Sequence, residues 1–291
     1  MILPTLRPPC TMELISLTIS RDHMVTRIQV VAGIAWLRAQ ADRDASPESQ
    51  LLAGEYFDVA ETVNGWANGK CAVDGFSGFV DLSDFSIELS RPSHAVAARV
   101  APVLAEPSTH SHPTGYLSMG SAVTVTEASD RFLRWDRGGW LYKVHLAPWP
   151  LIWDDITSVV KALEGTPFVW GGRSAFGMDC AGFVQFSLGC LGWSIPRDLP
   201  EQFLALMPCE APGAPCDVVF LRRGGELFHA GVLIAPDTIA HAGRRFAGIG
   251  AEPLGRYLRC HDIDAKRQSR SQVEVIFGRI DVSNQVPRKG G

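Results

Sequence analysis

Residues 165–182 read G-T-P-F-V-W-G-G-R-S-A-F-G-M-D-C-A-G, and they carry the strongest structural signal in the chain. Cys180 follows a glycine-rich loop and Asp179, at the point where an apolar helix is predicted to begin. A thiol is nucleophilic as its thiolate, and the free N–H groups and dipole of a helix N-terminus favour that anion. The pattern is therefore typical of a nucleophilic cysteine.

The sequence on both sides of this stretch predicts an α+β domain, with helices packed on a small antiparallel sheet. Before the cysteine, apolar residues follow helical spacing, with two aspartates in the first turn and a glycine at the end: Ile152, Asp154, Asp155, Ile156, Val159, Val160, Leu163 and Gly165. After it, four apolar runs predict strands: Val218–Leu221, Ala230–Ile234, Thr238–Ala242 and Val273–Ile280.

His229 and His241 lie in or beside two of these predicted strands, which flank a turn at residues 235–237. A hairpin about that turn is expected to bring the two histidines close to opposite each other. His229 then exchanges a proton with Cys180, while His241 holds the second nitrogen of the His229 ring. Backbone N–H groups at the start of the Cys180 helix are candidates to bind an oxyanion. The alternative is structural, with a buried core cysteine and two satisfied strand histidines.

The first half of the chain predicts short, closely spaced strands and therefore small all-β barrels or sandwiches. Three pairs of segments suggest two copies of one module: Trp36–Arg38 with Pro102–Leu104, Gln50–Leu52 with Tyr116–Ser118, and Gly78–Val80 with Gly139–Leu141. The predicted divisions are an N-terminal segment at 1–25, a first module at 26–84, a second module at 85–148 and a catalytic domain at 149–291.

Composition excludes several classes of protein. The 291 residues are 46% hydrophobic and 20% charged, with a net charge of -4, which gives no broad attraction to nucleic acid. No run approaches the roughly 20 apolar residues of a membrane span, and the N-terminus lacks the pattern of a signal peptide. The chain is therefore expected to be cytoplasmic, with export left open if the start codon is misassigned.

Seven cysteines without a C-x-x-C pair argue against a structural zinc site, and no metal or organic cofactor is predicted.

Several motifs carry a resemblance to a known family. In order and spacing they resemble the NlpC family of papain-like bacterial cell-wall peptidases: Phe168–Gly172, Asp179–Phe183, Asp217–Phe220, His229–Val232 and Ile239–Ala242. The match covers roughly residues 150–280, and Pro196-Arg197-Asp198 with Gln202 also resembles the family. The upstream modules resemble bacterial SH3-like domains. The resemblance implies a papain-like cysteine peptidase domain preceded by two small all-β SH3-like barrels.

The same resemblance implies a function and roles for individual residues. The reaction is hydrolysis of murein stem peptides, typically the γ-D-glutamyl bond to meso-diaminopimelate in soluble fragments, with Cys180, His229 and His241 as the triad. Asp179 is expected to bind the free amine of an N-terminal L-Ala, and its alternative role is the N-cap of the helix.

Two positions depart from the family pattern. The family usually has tyrosine at the position of Phe168 and serine at the position of Ala181. A lost hydrogen bond to a charged group costs about 1.5–3 kcal/mol, so a strict preference for a free L-Ala is in doubt.

Four further residues are candidates for substrate contacts. Trp170 and Phe228 are expected either to line the cleft or to belong to the core. Arg173 and Arg197 are candidates to bind the D-Glu α-carboxylate, or are surface arginines. Two other functions stay open: a murein-peptide binding protein whose third domain is catalytically weak, and an amidase or transpeptidase on the same scaffold. The oligomeric state is not predicted.

Overall fold

The computed structural model describes residues 26–210, 213–260 and 273–281. The predicted N-terminal segment at 1–25 lies outside the described residues. The chain divides into two compact units between Leu151 and Ile152. Within the described ranges, no helix is both long enough and apolar enough to cross a bilayer.

The amino-terminal unit is built from strands and two short 3-10 helices, Leu82–Asp84 and Lys143–His145. Its strands are β1 (Thr26–Val30), β2 (Ile34–Arg38), β3 (Pro47–Leu52), β4 (Tyr56–Val63), β5 (Trp66–Cys71), β6 (Ser77–Asp81), β7 (Phe85–Ser86), β8 (His94–Val96), β9 (Val100–Leu104), β10 (Pro113–Ser118), β11 (Ala122–Val123), β12 (Val125–Ala128), β13 (Phe132–Trp135), β14 (Trp140–Tyr142) and β15 (Leu146–Pro148).

The two halves of this unit repeat one topology. Five strands run in the order β3-β2-β6-β5-β4 in the first half and β10-β9-β14-β13-β12 in the second. The paired segments of the predicted repeat fall in or beside equivalent strands, β2 with β9, β3 with β10 and β6 with β14. A 3-10 turn follows β6 in one half and β14 in the other. Each half of the unit thus carries the same order of five strands.

The two modules share packing at one corner. Ala53, from the turn between β3 and β4, is fully buried in the apolar cluster of the second module. Its carbonyl accepts a hydrogen bond of 2.8 Å from the Ala122 N–H. Gly54 has a φ of +82°, and a Cβ there would lie 2.2 Å from the Ala122 carbonyl oxygen. Only glycine fits this contact, which joins the modules into one unit.

The carboxy-terminal unit packs short helices on an antiparallel sheet. Its helices are α1 (Ile156–Leu163), α2 (Cys180–Gly189), α3 (Leu199–Ala205) and α4 (254–260), with a 3-10 turn at Arg244–Phe246. Its strands are β16 (Arg173–Ser174), β17 (Gly177–Met178), β18 (Met207–Cys209), β19 (Val218–Arg223), β20 (Glu226–Ala235), β21 (Thr238–Gly243), β22 (Gly248–Pro253) and β23 (Val273–Arg279). Six of these strands form the main sheet, in the order β18-β23-β19-β20-β21-β22.

The helix before the nucleophile starts later than the sequence predicts. The Asp155 carboxylate accepts a hydrogen bond of 2.8 Å from the Ser158 N–H and so caps α1 from outside. Ile152 and Asp154 therefore precede the helix, and the prediction that both aspartates lie in its first turn is wrong. The four predicted strands are present with small shifts of their ends, while α3, β18 and β22 were not predicted.

The nucleophile helix α2 lies at the centre of this unit. All of its residues are buried, and it packs against β20 and β21. Most of its side chains are apolar and they cover all sides of the helix, which is typical of a helix in a protein interior. The loop before it approaches closely, because a Cβ at Gly182 would lie 2.2 Å from the Gly172 carbonyl oxygen. This packing fixes the N-terminus of α2 against the sheet.

Candidate active site

Cys180 is the first residue of α2, and its side chain faces strand β20. The residue is 8% exposed. Its sulfur accepts backbone hydrogen bonds from Ala230 in β20 and from Ala181 in its own helix. Because Ala230 directly follows His229, the packing of α2 on β20 brings the predicted nucleophile and the predicted base to the same place.

Burial raises the pKa of the Cys180 thiol to about 11, and the neighbouring Asp179 carboxylate adds to the rise. The backbone hydrogen bonds and Arg197 lower this pKa by less than burial raises it. The helix N-terminus favours the thiolate, whereas desolvation of the anion opposes it. A thiol whose pKa is raised in this way needs a base to become a nucleophile.

The structure brings His229 and His241 into direct contact. The Nε2 atom of His229 lies 3.0 Å from Nδ1 of His241, and both rings are buried. In the hairpin, Val232 is opposite Ala240, so the two histidines are diagonal neighbours across the two strands. Continued along the strands, this register places Gly243 across from His229. A Cβ at Gly243 would lie 2.6 Å from His241 Nδ1, so the glycine leaves the space that the ring pair occupies.

Two residues that the sequence did not single out complete this cluster. The Oε1 atom of Glu252, in β22, lies 3.1 Å from His241 Nε2. Tyr257, in α4, is fully buried, stacks on the His229 ring at 5.9 Å and meets the His241 ring edge-on at 4.9 Å. The position of Glu252 depends on the pairing of β22 with β21, and that of Tyr257 depends on the packing of α4. No local sequence pattern predicts either contact.

His241 is held in its neutral form. Burial lowers the pKa of its imidazole, and the hydrogen bond and charge of Glu252 offset only part of this effect. The charge of Arg245 lowers the pKa further. The ring therefore has one N–H donor and one nitrogen acceptor near neutral pH.

Asp179 serves as the N-cap of α2. Its Oδ1 atom accepts a hydrogen bond of 2.7 Å from the Gly182 N–H, which confirms the capping alternative. Its Oδ2 atom accepts from the Gly171 N–H at 2.9 Å and from the Arg197 guanidinium at 2.7 Å. Contact between Asp179 and a substrate amine stays a prediction. The amine would be a fourth donor to this carboxylate, beside Gly171, Gly182 and Arg197.

The two candidate arginines are both buried. Arg197 is 2% exposed, and Arg173 is also in the interior, so the surface alternative is wrong for each. The ion pair with Asp179 turns Arg197 toward the interior of the domain. A contact between Arg197 and a substrate carboxylate would require the buried guanidinium to become accessible.

Aromatic side chains stand exposed near the loop that precedes Cys180. Trp170 is 67% exposed and Phe168 is 38% exposed. Phe228 is also exposed, so the core alternative is wrong for Trp170 and Phe228. The Phe168 N–H donates to the Ala247 carbonyl at 2.9 Å, which joins this loop to the turn beside His241.

Ala181 is buried, and its carbonyl accepts a hydrogen bond of 2.9 Å from Gln202. Gln202, in α3, was noted only for its resemblance to the family. Its side chain also donates to the Pro196 carbonyl at 2.9 Å and so ties the segment after α2 to the helix start. Across the described ranges, no group of three His, Cys, Asp or Glu side chains is placed to hold a metal ion.

Comparison with family models identifies two regions of the chain. Residues 165–285 match the model of the NlpC/P60 family, and this range contains Cys180, both histidines and Glu252. The carboxy-terminal part of the chain is an NlpC/P60 domain. Residues 37–85, within the amino-terminal unit, match the bacterial dipeptidyl-peptidase Sh3 domain. The NlpC/P60 domain thus follows an all-β, SH3-like region.

Curated relatives match part of the chain. A gamma-D-glutamyl-L-lysine dipeptidyl-peptidase of Bacillus subtilis is 33% identical over 98 residues, which are 31% of this chain and 31% of the relative. A protein of the same name from Bacillus cereus is 28% identical over 112 residues, or 35% of this chain and 32% of the relative. The matched parts thus span about a third of these relatives.

Two solved structures share the fold more widely. An NlpC/P60 family protein from Bacillus cereus superposes with a TM-score of 0.67 at 18% identity, covering 78% of this chain and 94% of that protein. An NlpC/P60 endopeptidase from Photobacterium damselae gives a TM-score of 0.63 at 13% identity, covering 89% of this chain and 74% of that protein. At these identities the likeness concerns the fold.

Proposed function

We propose that this protein is a cysteine endopeptidase of murein stem peptides and that it hydrolyses the bond between γ-D-glutamate and the following diamino acid. The observation that carries the proposal is the buried Cys180 thiol beside the His229–His241 pair in an NlpC/P60 domain. A protonated thiol next to an imidazole that can accept its proton is suited to attack with concerted proton transfer.

Acylation starts at the protonated thiol. As the Cys180 sulfur attacks the peptide carbonyl carbon, the imidazole of His229 accepts the thiol proton and a C–S bond forms. The oxyanion falls near the start of α2, where the Gly182 N–H is already bonded to Asp179 and the Cys180 N–H is the candidate donor. Collapse of this intermediate breaks the C–N bond, and His229 gives the proton to the leaving amine. Water then hydrolyses the thioester, with His229 as base.

The choice of substrate rests on the relatives. Two of them are named for a γ-D-glutamyl-L-lysine bond, which supports a γ-linked glutamate on the acyl side. The resemblance of the motifs implies meso-diaminopimelate as the diamino acid, so this residue and lysine are the two substrates to compare. We include soluble fragments and a cytoplasmic site of action in the proposal.

The deciding experiment uses L-Ala-γ-D-Glu-meso-diaminopimelate and L-Ala-γ-D-Glu-L-Lys, with release of the free diamino acid measured by mass spectrometry. We expect release by the wild type and none by Cys180→Ala. Cys209→Ala is the matched control, because this cysteine lies in β18 at the edge of the sheet. No release by the wild type, or full release by Cys180→Ala, would refute the proposal.

A second candidate function is binding of murein peptides without efficient cleavage. Two observations favour it: the raised pKa of Cys180 and the absence of a hydroxyl at Phe168 and Ala181. It predicts that the protein pellets with purified murein and yields no product. A transpeptidase on the same scaffold would instead join the acyl group to an added amine, and an amidase would hydrolyse a different amide bond. The masses of the products distinguish both from the proposed cleavage.

A further inference from the structure

We infer that Glu252 is a positioning residue that fixes which nitrogen of His241, and through it which nitrogen of His229, carries a hydrogen. This inference rests on the proposed function, in which His229 accepts the proton of Cys180. It adds a fourth residue to the predicted triad and gives it a defined task.

The first step is the contact between Glu252 and His241. A carboxylate can only accept hydrogen bonds, so the His241 Nε2 atom, 3.1 Å from Glu252 Oε1, carries the hydrogen. The second oxygen of Glu252 lies 3.2 Å from the Arg245 guanidinium and 3.7 Å from that of Arg256. These two cations hold the carboxylate in its acceptor role.

The second step passes from His241 to His229. Because His241 is neutral and its hydrogen is on Nε2, its Nδ1 atom is an acceptor. His229 Nε2, 3.0 Å away, therefore donates. In its neutral form the His229 ring then has its lone pair on Nδ1, the nitrogen that Glu252 and His241 leave for the thiol proton.

Packing alone does not set this protonation. Tyr257 packs against both imidazole rings, and Gly243 leaves room for them. The positions of the rings therefore do not depend on Glu252 alone. A glutamine at position 252 keeps the size of the side chain. Arg245 and Arg256 favour its amide oxygen on their side, so its NH2 group faces His241 and donates. Donation to His241 Nε2 moves the ring hydrogen to Nδ1, which no longer accepts from His229. His229 then accepts through Nε2 and carries its hydrogen on Nδ1, where the base is needed.

The direct test is ¹⁵N NMR of the imidazoles in the whole wild-type protein near neutral pH. We expect Nδ1 of His229 to be unprotonated and Nε2 of both rings to be protonated. Protonation of His229 Nδ1 in the neutral ring would overturn the inference. This measurement needs no substrate and no variant, so it decides the inference even where the protein cleaves neither peptide or Glu252→Gln does not fold.

The kinetic test compares Glu252→Gln with Glu274→Gln. The control also removes a carboxylate from the same sheet, in an exposed pair with Arg222. We expect Glu252→Gln to lower kcat roughly 10–100-fold with little change in KM, and to exchange the protonated nitrogens of both rings. The corresponding change in a Ser-His-Asp triad costs about 10⁴-fold, which sets an upper bound for an effect relayed through a second ring. Unchanged kcat with unchanged ring protonation would refute the inference.

A double variant tests whether Glu252 acts through His241. In His241→Asn, an amide oxygen can accept from His229 Nε2 without help from Glu252. We therefore expect Glu252→Gln to change kcat less than about twofold in that background. An undiminished loss in the double variant would show that Glu252 acts by another route and would overturn the proposed relay.

Discussion

His229 Nε2 and His241 Nδ1 meet at 3.0 Å, although their residues are diagonal neighbours in the hairpin. The contact depends on the position across from His229, where Gly243 has no side chain. The planes of the two imidazoles meet at 85°. In this arrangement the His241 ring occupies the space that a side chain at position 243 would fill. The contact between the proposed base and its partner thus depends on the absence of a side chain at Gly243.

Gly243→Ala is expected to abolish most of the activity. The added Cβ would lie 2.6 Å from His241 Nδ1, which forces the ring away from His229. Misplacement of a reacting group by about 1 Å can cost on the order of 10²-fold in rate, so we expect a loss of at least that size. The rate of peptide cleavage at saturating substrate measures this loss.

Gly213→Ala is the matched control, because a Cβ there meets nothing within 4 Å. Full activity of Gly243→Ala with an intact fold would show that the imidazole contact is not needed for turnover.

The raised pKa of Cys180 predicts slow alkylation at neutral pH. With a pKa of about 11, the thiol is protonated up to that range, and its thiolate fraction is about 10⁻⁴ at pH 7. The rate of iodoacetamide modification at Cys180, followed by peptide mass mapping, should rise about tenfold per pH unit from pH 7 to 10.

The same protein in denaturant provides the reference, since its thiols should level off above about pH 9. A fast, pH-independent rate near pH 7 in the folded protein would indicate a resting thiolate paired with His229. Slow alkylation at pH 7 is expected of both the peptidase and the binding protein, so turnover, not labelling, separates those functions.

Arg197→Met tests whether this arginine supports the fold or binds substrate. Its guanidinium is buried against Asp179 at 2.7 Å, and removing one partner of a buried ion pair costs about 3–5 kcal/mol. We expect a fall of that size in the free energy of unfolding, measured in urea.

Arg222→Met is the control for Arg197→Met, because it breaks an exposed pair with Glu274 and should cost at most about 1 kcal/mol. A raised KM for Arg197→Met at unchanged stability would instead support the predicted contact with a substrate carboxylate.

Local signals in the sequence predicted the parts of the site that neighbouring residues determine. The N-cap Asp179, the helix that begins at Cys180 and the hairpin that holds both histidines follow from spacing and residue type. Glu252 and Tyr257 reach the site through β22 and α4, and their contacts arise from strand pairing and packing between distant segments.

The environment that raises the pKa of Cys180 could not be predicted for a related reason. The helix N-terminus is visible in the sequence, whereas the burial that outweighs it comes from β20 and the surrounding core. The repeat in the first half was predictable because both copies preserve the same order of turns and apolar runs, as β2 and β9 illustrate.

Asp84 makes the amino-terminal unit sensitive to pH. Burial, and secondarily the charge of Asp81, raise its pKa to about 6 from an ordinary value near 3.8. Because the folded-state pKa is the higher one, the stabilising contribution is complete below about pH 4 and is lost as pH rises through 6. Asp84→Asn cannot ionise, so it should exceed the wild type in stability at pH 7.5 by about 1–2 kcal/mol, a value reduced for partial exposure.

Urea unfolding at pH 4 and pH 7.5 checks this expectation, since the advantage of Asp84→Asn should disappear at the lower pH. Asp130→Asn, whose side chain is 90% exposed, should differ little from the wild type at either pH. An equal effect of Asp84→Asn at both pH values would mean that the substitution acts through packing in the turn at Leu82–Asp84 and that the charge of Asp84 does not oppose folding.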